Sequence, residues 1–118
     1  MLGQPVPVVT DDDVARIARR DFPAQADEVL ALLAGYGAES WEREQPRVRL
    51  AVLRLADGDM ERLLQQLAYA KLDYRDVLMG AEYLAYATLT LHTPKPSAED
   101  AQQAIEQDWR KYEEWLRR

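Results

Sequence analysis

The stretch Pro46–Ala56, PRVRLAVLRLA, decides the fold, because its apolar residues recur at the spacing of an α-helix. The stripe that repeats every three or four residues consists of Val48, Ala51, Val52 and Leu55. Leu50 and Leu53 widen this stripe beyond a single narrow contact face. We therefore expect this helix to be the most buried of the chain. The arginines expected at its edges are Arg47, Arg49 and Arg54.

The residues that follow predict two more helices, each with an aspartate at its start. Asp59 ends a turn at residues 56–59 and is the expected cap of a fourth helix. The predicted inward face of that helix comprises Met60, Leu63, Leu64, Leu67, Ala68 and Leu72. Asp73 is the expected cap of a fifth helix over roughly residues 74–88. Its predicted buried stripe comprises Tyr74, Val77, Leu78, Ala81, Ala85 and Thr88, with Leu84 beside them.

A loop with two prolines, residues 90–97, separates this region from a last helix. Ser97 followed by Asp100 forms a weak capping box, so the helix is expected to run from Ala98 to about Arg117. Its predicted core stripe comprises Ala101, Ile105, Trp109, Tyr112 and Leu116. Trp115 lies one residue off that stripe and is therefore a candidate for an exposed side chain.

The N-terminal third predicts an extended arm and two helices. Residues 1–9 contain two prolines and several valines, which favours an extended arm. Thr10 and the acidic run at 11–13 suit a helix start, where negative charge complements the helix dipole. The inward residues expected of this first helix are Val14, Ile17, Ala18 and Phe22. A second helix is expected over residues 24–34, with two glycines just after it.

These patterns predict the all-α class, with about six helices in a single domain over residues 10–118. An antiparallel bundle and a short HEAT-like array of helical pairs are both compatible with the periodicity. The choice between them stays open at this point.

Composition excludes several functions. The formal net charge of −6 opposes binding to a phosphate backbone, so we expect no nucleic-acid partner. No apolar run is long enough to cross a bilayer, and the first residues lack the features of a secretory signal. With no cysteine the chain has neither disulfides nor thiolate chemistry. We expect a cytoplasmic protein of a prokaryote.

Candidates for catalysis, metals and cofactors are scarce. His92 is the only histidine and has no partner at a metal-binding spacing. No serine lies in a nucleophile elbow, and chance alone brings carboxylates together among twenty-one acidic residues. We therefore expect no catalytic residues, no metal, no cofactor and no enzymatic activity.

The remaining function is binding of another protein. Large aromatic and arginine side chains dominate binding hot spots, and an acidic surface steers a basic partner, as in a neutralising or regulatory complex. The candidate partner-binding residues are Trp41, Trp115, Arg75, Glu82 and Tyr86. A homo-oligomer that buries Trp115 and the last helix is a further possibility. An alternative from another class is a ligand-binding or enzymatic pocket around Arg75, Glu82, Tyr83 and Tyr86.

Residues 42–83 also carry a recognisable pattern: Glu-Arg-Glu, Pro-Arg-Val, Gly-Asp, Asp-Tyr-Arg-Asp-Val-Leu and Ala-Glu-Tyr. Its matches are Glu42 to Glu44, Pro46 to Val48, Gly58 and Asp59, Asp73 to Leu78, and Ala81 to Tyr83. This pattern, over about a third of the chain, resembles a group of small bacterial helical proteins. The resemblance implies a helical domain and no assigned activity, so no catalytic residue is transferred. A proline often follows Ala-Glu-Tyr in related sequences; here Leu84 follows, and we expect the helix to continue.

Overall fold

A computed structural model describes residues 5–118 of the protein and shows an all-α fold without strands in that range. Its helices are α1 Asp11–Asp21, α2 Ala26–Ala34, α3 Gln45–Ala56, α4 Met60–Leu72, α5 Tyr74–Glu82, α6 Leu84–His92 and α7 Ala98–Arg117. The predicted all-α class is confirmed, with seven helices in the described residues instead of about six. Residues 5–9 of the expected arm form no helix, and residues 1–4 lie outside the described residues.

Helix α3 is the centre of the molecule, as its sequence predicts. It packs against α1, α4 and α5, and the arrangement is bundle-like. Its fully buried residues are Val48, Leu50, Ala51, Val52, Leu53 and Ala56. Leu55, which was expected to face inward, is only half-buried. The broad apolar surface of α3 is needed because three helices cover it from different sides.

Local capping explains where four of the helices begin. Thr10 and Asp13 form a reciprocal capping box at the start of α1. The side chains of Asp59, Asp73 and Ser97 each accept a backbone N–H in the first turn of α4, α5 and α7. These four starts were predicted from the sequence.

Half of the predicted inward face of α4 is confirmed, since Met60 and Leu67 pack partly buried against the core beside Leu63. Leu63 is fully buried, but Leu64, Ala68 and Leu72 are exposed. The main packing partners of α4 are α3 and α5. Its apolar residues outnumber the positions that the fold can bury, so several of them remain at the surface.

The predicted helix over residues 74–88 is broken at Tyr83, contrary to the expectation that it continues. Tyr83 has φ −141° and ψ 41°, and α6 begins at the next residue. The carboxylate of Asp108, from α7, accepts the backbone N–H groups of Ala85 and Tyr86 at 2.8 and 2.9 Å. This contact supplies the cap of α6 from a distant part of the chain. The break also interrupts the helical face that was to carry both Arg75 and Tyr86.

Trp115 is buried, which contradicts its candidacy as an exposed anchor. Its ring lies 5.6 Å from that of Tyr112, and the guanidinium groups of Arg20 and Arg54 lie 5.3 and 5.9 Å from its centroid. Trp115 is therefore occupied within its own chain and is not free for a two-fold interface. Trp109, expected in the core, is only half-buried.

Within residues 5–118, none of the helices has both the length and the apolar character that crossing a membrane requires.

Candidate functional site

Glu82, at the end of α5, is a buried carboxylate held by one arginine of α3. Nε of Arg47 donates to the two carboxylate oxygens at 3.0 and 2.9 Å, and Nη2 donates to Oε1 at 2.6 Å. Such a forked contact combines charge with fixed geometry and is stronger than a hydrogen bond between neutral groups. Arg47, which was expected at the edge of α3, is thus paired specifically with Glu82.

The pair leaves the charge of Glu82 only partly compensated. Burial raises the pKa of Glu82, and the hydrogen bond and charge of Arg47 offset only part of that effect. The same hydrogen bond raises the pKa of Arg47. Glu82 is therefore a carboxylate whose charged form would be stabilised further by a second positive group.

A cavity of about 290 Å³ lies beside this pair, between α3, the α5–α6 break and α7. Its polar lining consists of Arg47, Glu82 and Asp108. Its apolar and aromatic lining consists of Tyr83, Ile105, Trp109 and Tyr112, together with residues 5–7 of the arm. The volume is near the lower limit of ligand pockets.

Tyr112 contributes a buried hydroxyl group to this region. Among residues 5–118 it has no hydrogen-bond partner, although most buried polar groups have one. Burial raises the pKa of Tyr112, and the negative charge of Glu82 raises it further. The hydroxyl thus remains protonated and lies within the electrostatic influence of Glu82.

The alternative pocket predicted from the sequence is only partly found. Glu82 and Tyr83 line the cavity, whereas Arg75 and Tyr86 are not among its lining residues. Arg75 is exposed and donates to its neighbour Asp73 at 2.9 Å.

The sequence reasoning missed three residues of the cavity wall, Arg47, Asp108 and Tyr112, as members of one site. Asp108 had a usable signal, since it lies three residues after Ile105 and four before Tyr112 in the apolar stripe of α7. An acidic residue in a buried stripe requires a partner. Which partner it has depends on the break at Tyr83, and local periodicity did not reveal that break.

A second feature is an apolar surface at the turn between α4 and α5, here called the α4–α5 patch. It consists of Trp41, Tyr69, Leu72, Asp73 and Arg75. The exposed fractions of Trp41, Tyr69 and Leu72 are 59%, 54% and 82%. Two shallow depressions meet in the patch and share Leu72 and Asp73. The structure thus brings together two of the predicted partner-binding residues, Trp41 and Arg75.

The loop that carries Trp41 is held by another buried carboxylate, Glu42. Its Oε1 accepts the backbone N–H groups of Gly37, Ala38 and Glu39 at 2.9, 3.1 and 3.3 Å. Lys71 of α4 lies 3.6 Å from its other oxygen. Burial alone would raise the pKa of Glu42, but these hydrogen bonds and the lysine charge together lower it.

Comparison of the chain with protein families, with curated proteins and with solved structures finds no match. Function is therefore inferred from the geometry of the cavity and of the α4–α5 patch.

Proposed function

We propose that this protein is a non-enzymatic binding domain that docks another protein on the α4–α5 patch. The observation that carries the proposal is the exposure of Trp41, Tyr69 and Leu72 beside one another. Contiguous exposed apolar side chains mark interaction sites on soluble domains, and Trp, Tyr and Arg dominate binding hot spots. Arg75 adds a polar group at the margin of the patch.

The patch is also held in place before any partner arrives. The indole Nε1 of Trp41 donates to the carbonyl oxygen of Lys71 at 3.4 Å, which links the loop to α4. The side chain of Lys71 in turn donates to the carbonyl oxygen of Gly35 at 2.9 Å. Arg75 is oriented by two hydrogen bonds to Asp73. Preorganised side chains lose little conformational freedom on binding, which favours affinity.

Charge indicates the kind of partner. A net charge of −6 attracts a basic protein and repels acidic ones over long distances. A partner with an apolar contact surface surrounded by basic residues would complement both the patch and the whole domain. This is the chemistry of a neutralising or regulatory complex, in which the acidic domain covers a basic functional surface.

The proposal is tested with a photo-crosslinking side chain at position 72, introduced in the source organism. We expect one stoichiometric crosslinked protein, and we expect Trp41→Ala to abolish the crosslink. Leu91 provides the matched control, because it is 78% exposed on α6, far from the patch in sequence and outside its lining. A crosslinker at position 91 should capture nothing.

A second measurement uses the purified complex. Leu72→Ser should weaken the complex by at least about tenfold, as expected for a central apolar contact, while Leu91→Ser leaves its affinity unchanged. Affinity should also fall as salt is added, because steering by net charge is screened. Equal effects of both serine variants, or no crosslinked protein at either position, would refute the proposal.

A further inference from the structure

We propose that the outer face of α7 binds a second copy of this chain, in an antiparallel helix pair whose two-fold axis crosses α7 near position 108. This contact goes beyond the function proposed above and shares no residue with the α4–α5 patch. Its support comes from an exposed helix face with a central tryptophan, and from charges on that face that complement one another when a second α7 runs in the opposite direction.

The outer face extends along most of α7, a helix of 20 residues. A helix of this length is about 30 Å long, so one face can contact a partner over several turns. The buried residues of α7, among them Tyr112 and Trp115, occupy its other side. The outer face consists of residues at helical spacing that are exposed or half-buried: Glu99, Gln102, Glu106, Trp109, Arg110 and Arg117.

Trp109 lies near the middle of this face and is only half-buried. It lines a shallow depression together with Ile105 and Pro5. Tryptophan and arginine dominate binding hot spots, and such residues lie near the centre of an interface. The last helix therefore offers Trp109 to a second copy, whereas Trp115 is occupied within its own chain.

The charged residues of the outer face favour an antiparallel pair of α7 helices. Glu99 and Glu106 lie in the N-terminal half of α7, whereas Arg110 and Arg117 lie in its C-terminal half. Glu106 and Arg110 are two residues on either side of position 108, and Glu99 and Arg117 are nine residues on either side of it. A two-fold axis at this position brings each glutamate opposite an arginine of the second copy. A parallel pair would bring like charges together instead.

The inner pair, Glu106 and Arg110, is available for a second copy. Glu106 accepts a hydrogen bond from Gln102 at 3.1 Å, and neither Glu106 nor Arg110 forms an ion pair among residues 5–118. The outer pair is more occupied, since Arg117 already binds Glu113 at 2.8 Å. We therefore assign the contact that sets the register to Glu106 and Arg110.

The acidity of the chain does not prevent this contact. With Glu113 included, the face carries three carboxylates and two guanidinium groups, so only one negative charge of the net −6 lies on it. Charges elsewhere on the surface are screened over about 8 Å at physiological ionic strength. The contact uses one helix of each copy and is thus at the low end of interface sizes, so we expect a dissociation constant on the order of 10 µM.

Charge reversal in the full chain tests the register. Light scattering at about 100 µM should give the unchanged chain a mass close to that of two copies, as a dissociation constant near 10 µM requires. Glu106→Arg and Arg110→Glu each place like charges opposite one another and should weaken the dimer at least about tenfold. An equal mixture of the two variants should dimerise again, because each of these contacts then joins opposite charges.

Glu61→Arg is the matched control, since Glu61 is exposed on α4 and its substitution makes the same change of charge. It should leave the dimer unchanged. The proposal is overturned by a single-chain mass for the unchanged protein, by a mixture that stays in single chains, or by equal effects of Glu61→Arg and Glu106→Arg.

A second variant tests the centre of the contact. Trp109→Ala should weaken the dimer at least about tenfold, as expected for a hot-spot residue near the axis. Far-UV circular dichroism of the same sample establishes that the variant is folded. Undiminished dimerisation of the folded variant would contradict the assignment of this face.

Failure of this proposal is distinguishable from failure of the protein-binding proposal. Leu72→Ser alters the α4–α5 patch and should leave the dimer unchanged. Glu106→Arg should leave the crosslink at position 72 unchanged.

Discussion

Glu42 and Glu82 are both buried carboxylates, but their surroundings differ in the number and kind of donors. Glu42 accepts three backbone N–H groups and lies near Lys71, and its pKa is lowered. Glu82 is paired with the single guanidinium group of Arg47, and its pKa is raised. The first carboxylate is surrounded by fixed donors of its own loop, whereas the second lies at the wall of a cavity that Tyr112 also lines.

The difference separates a carboxylate that backbone donors stabilise from one that is stabilised mainly by a single ion pair. Backbone donors that converge on one oxygen stabilise a loop conformation and leave little capacity for a ligand. A buried ion pair contributes little net stability, because desolvation of both charges opposes their attraction. We therefore interpret Glu42 as the residue that fixes the loop of Trp41, and Glu82 as one half of a buried ion pair.

The largest expected effect comes from breaking the Arg47–Glu82 pair. Arg47→Met leaves Glu82 buried without its cation and should lower the free energy of unfolding by about 3 kcal/mol. The double variant Arg47→Met/Glu82→Leu should recover most of that loss, since no charge is then buried. Urea unfolding measures both. If the double variant is as unstable as the single one, the pair has the structural role that we assign to Glu42 instead.

The next largest effect on stability is expected from substituting Glu42. Glu42→Ala removes the acceptor of three backbone N–H groups and should lower the free energy of unfolding by about 2 kcal/mol. Glu42→Gln should cost less, because a single oxygen accepts all three donors and the amide retains one oxygen. Urea unfolding gives the ordering. A glutamine variant as unstable as the alanine variant would show that charge, rather than the acceptor, holds the loop.

A smaller effect on the free energy of unfolding is expected when a tyrosine hydroxyl is removed. Its sign should differ between Tyr112 and Tyr36, because only the hydroxyl of Tyr36 donates a hydrogen bond among residues 5–118. Tyr112→Phe removes a buried hydroxyl that has no hydrogen-bond partner among residues 5–118 and should raise the free energy of unfolding by about 1 kcal/mol. Tyr36→Phe removes a hydrogen bond of 2.7 Å to the carbonyl oxygen of Arg43 and should lower it by about 1 kcal/mol. Thermal unfolding compares them. Destabilisation by both changes would mean that the Tyr112 hydroxyl is satisfied in solution.

The smallest expected effect is that Glu42 and Glu82 contribute to stability with opposite dependence on pH. The folded pKa of Glu42 lies below its ordinary value of 4.5, so its stabilisation is present above that pH and is lost as the pH falls below it. The folded pKa of Glu82 lies above 4.5, so its ionisation opposes folding, and this opposition is relieved as the pH falls through the folded pKa toward 4.5.

Side-chain carboxyl ¹³C shifts followed over pH should show Glu42 titrating below 4.5 and Glu82 above it. Glu42→Gln should flatten the loss of stability at the acidic end, and Glu82→Gln should remove the opposite slope above it. The reverse order of titration would contradict this comparison of the two carboxylates.

Some features of this protein follow from the sequence alone because their causes are local. Thr10, Asp59 and Asp73 cap helices within three residues of themselves, so short-range chemistry predicts where α1, α4 and α5 begin. The burial of α3 follows from apolar residues on several of its faces. These local signals were sufficient for the all-α class and for the central helix.

Other features were decided only by the tertiary structure, because their causes lie far away along the chain. The break at Tyr83 depends on Asp108 of α7, whose carboxylate caps α6. Leu72 is 82% exposed although it lies on the apolar stripe of α4, because helical periodicity does not tell which side of a helix its neighbours will cover. The cavity beside Glu82 arises where α3, the break and α7 meet, so its residues become one site only when the chain has folded.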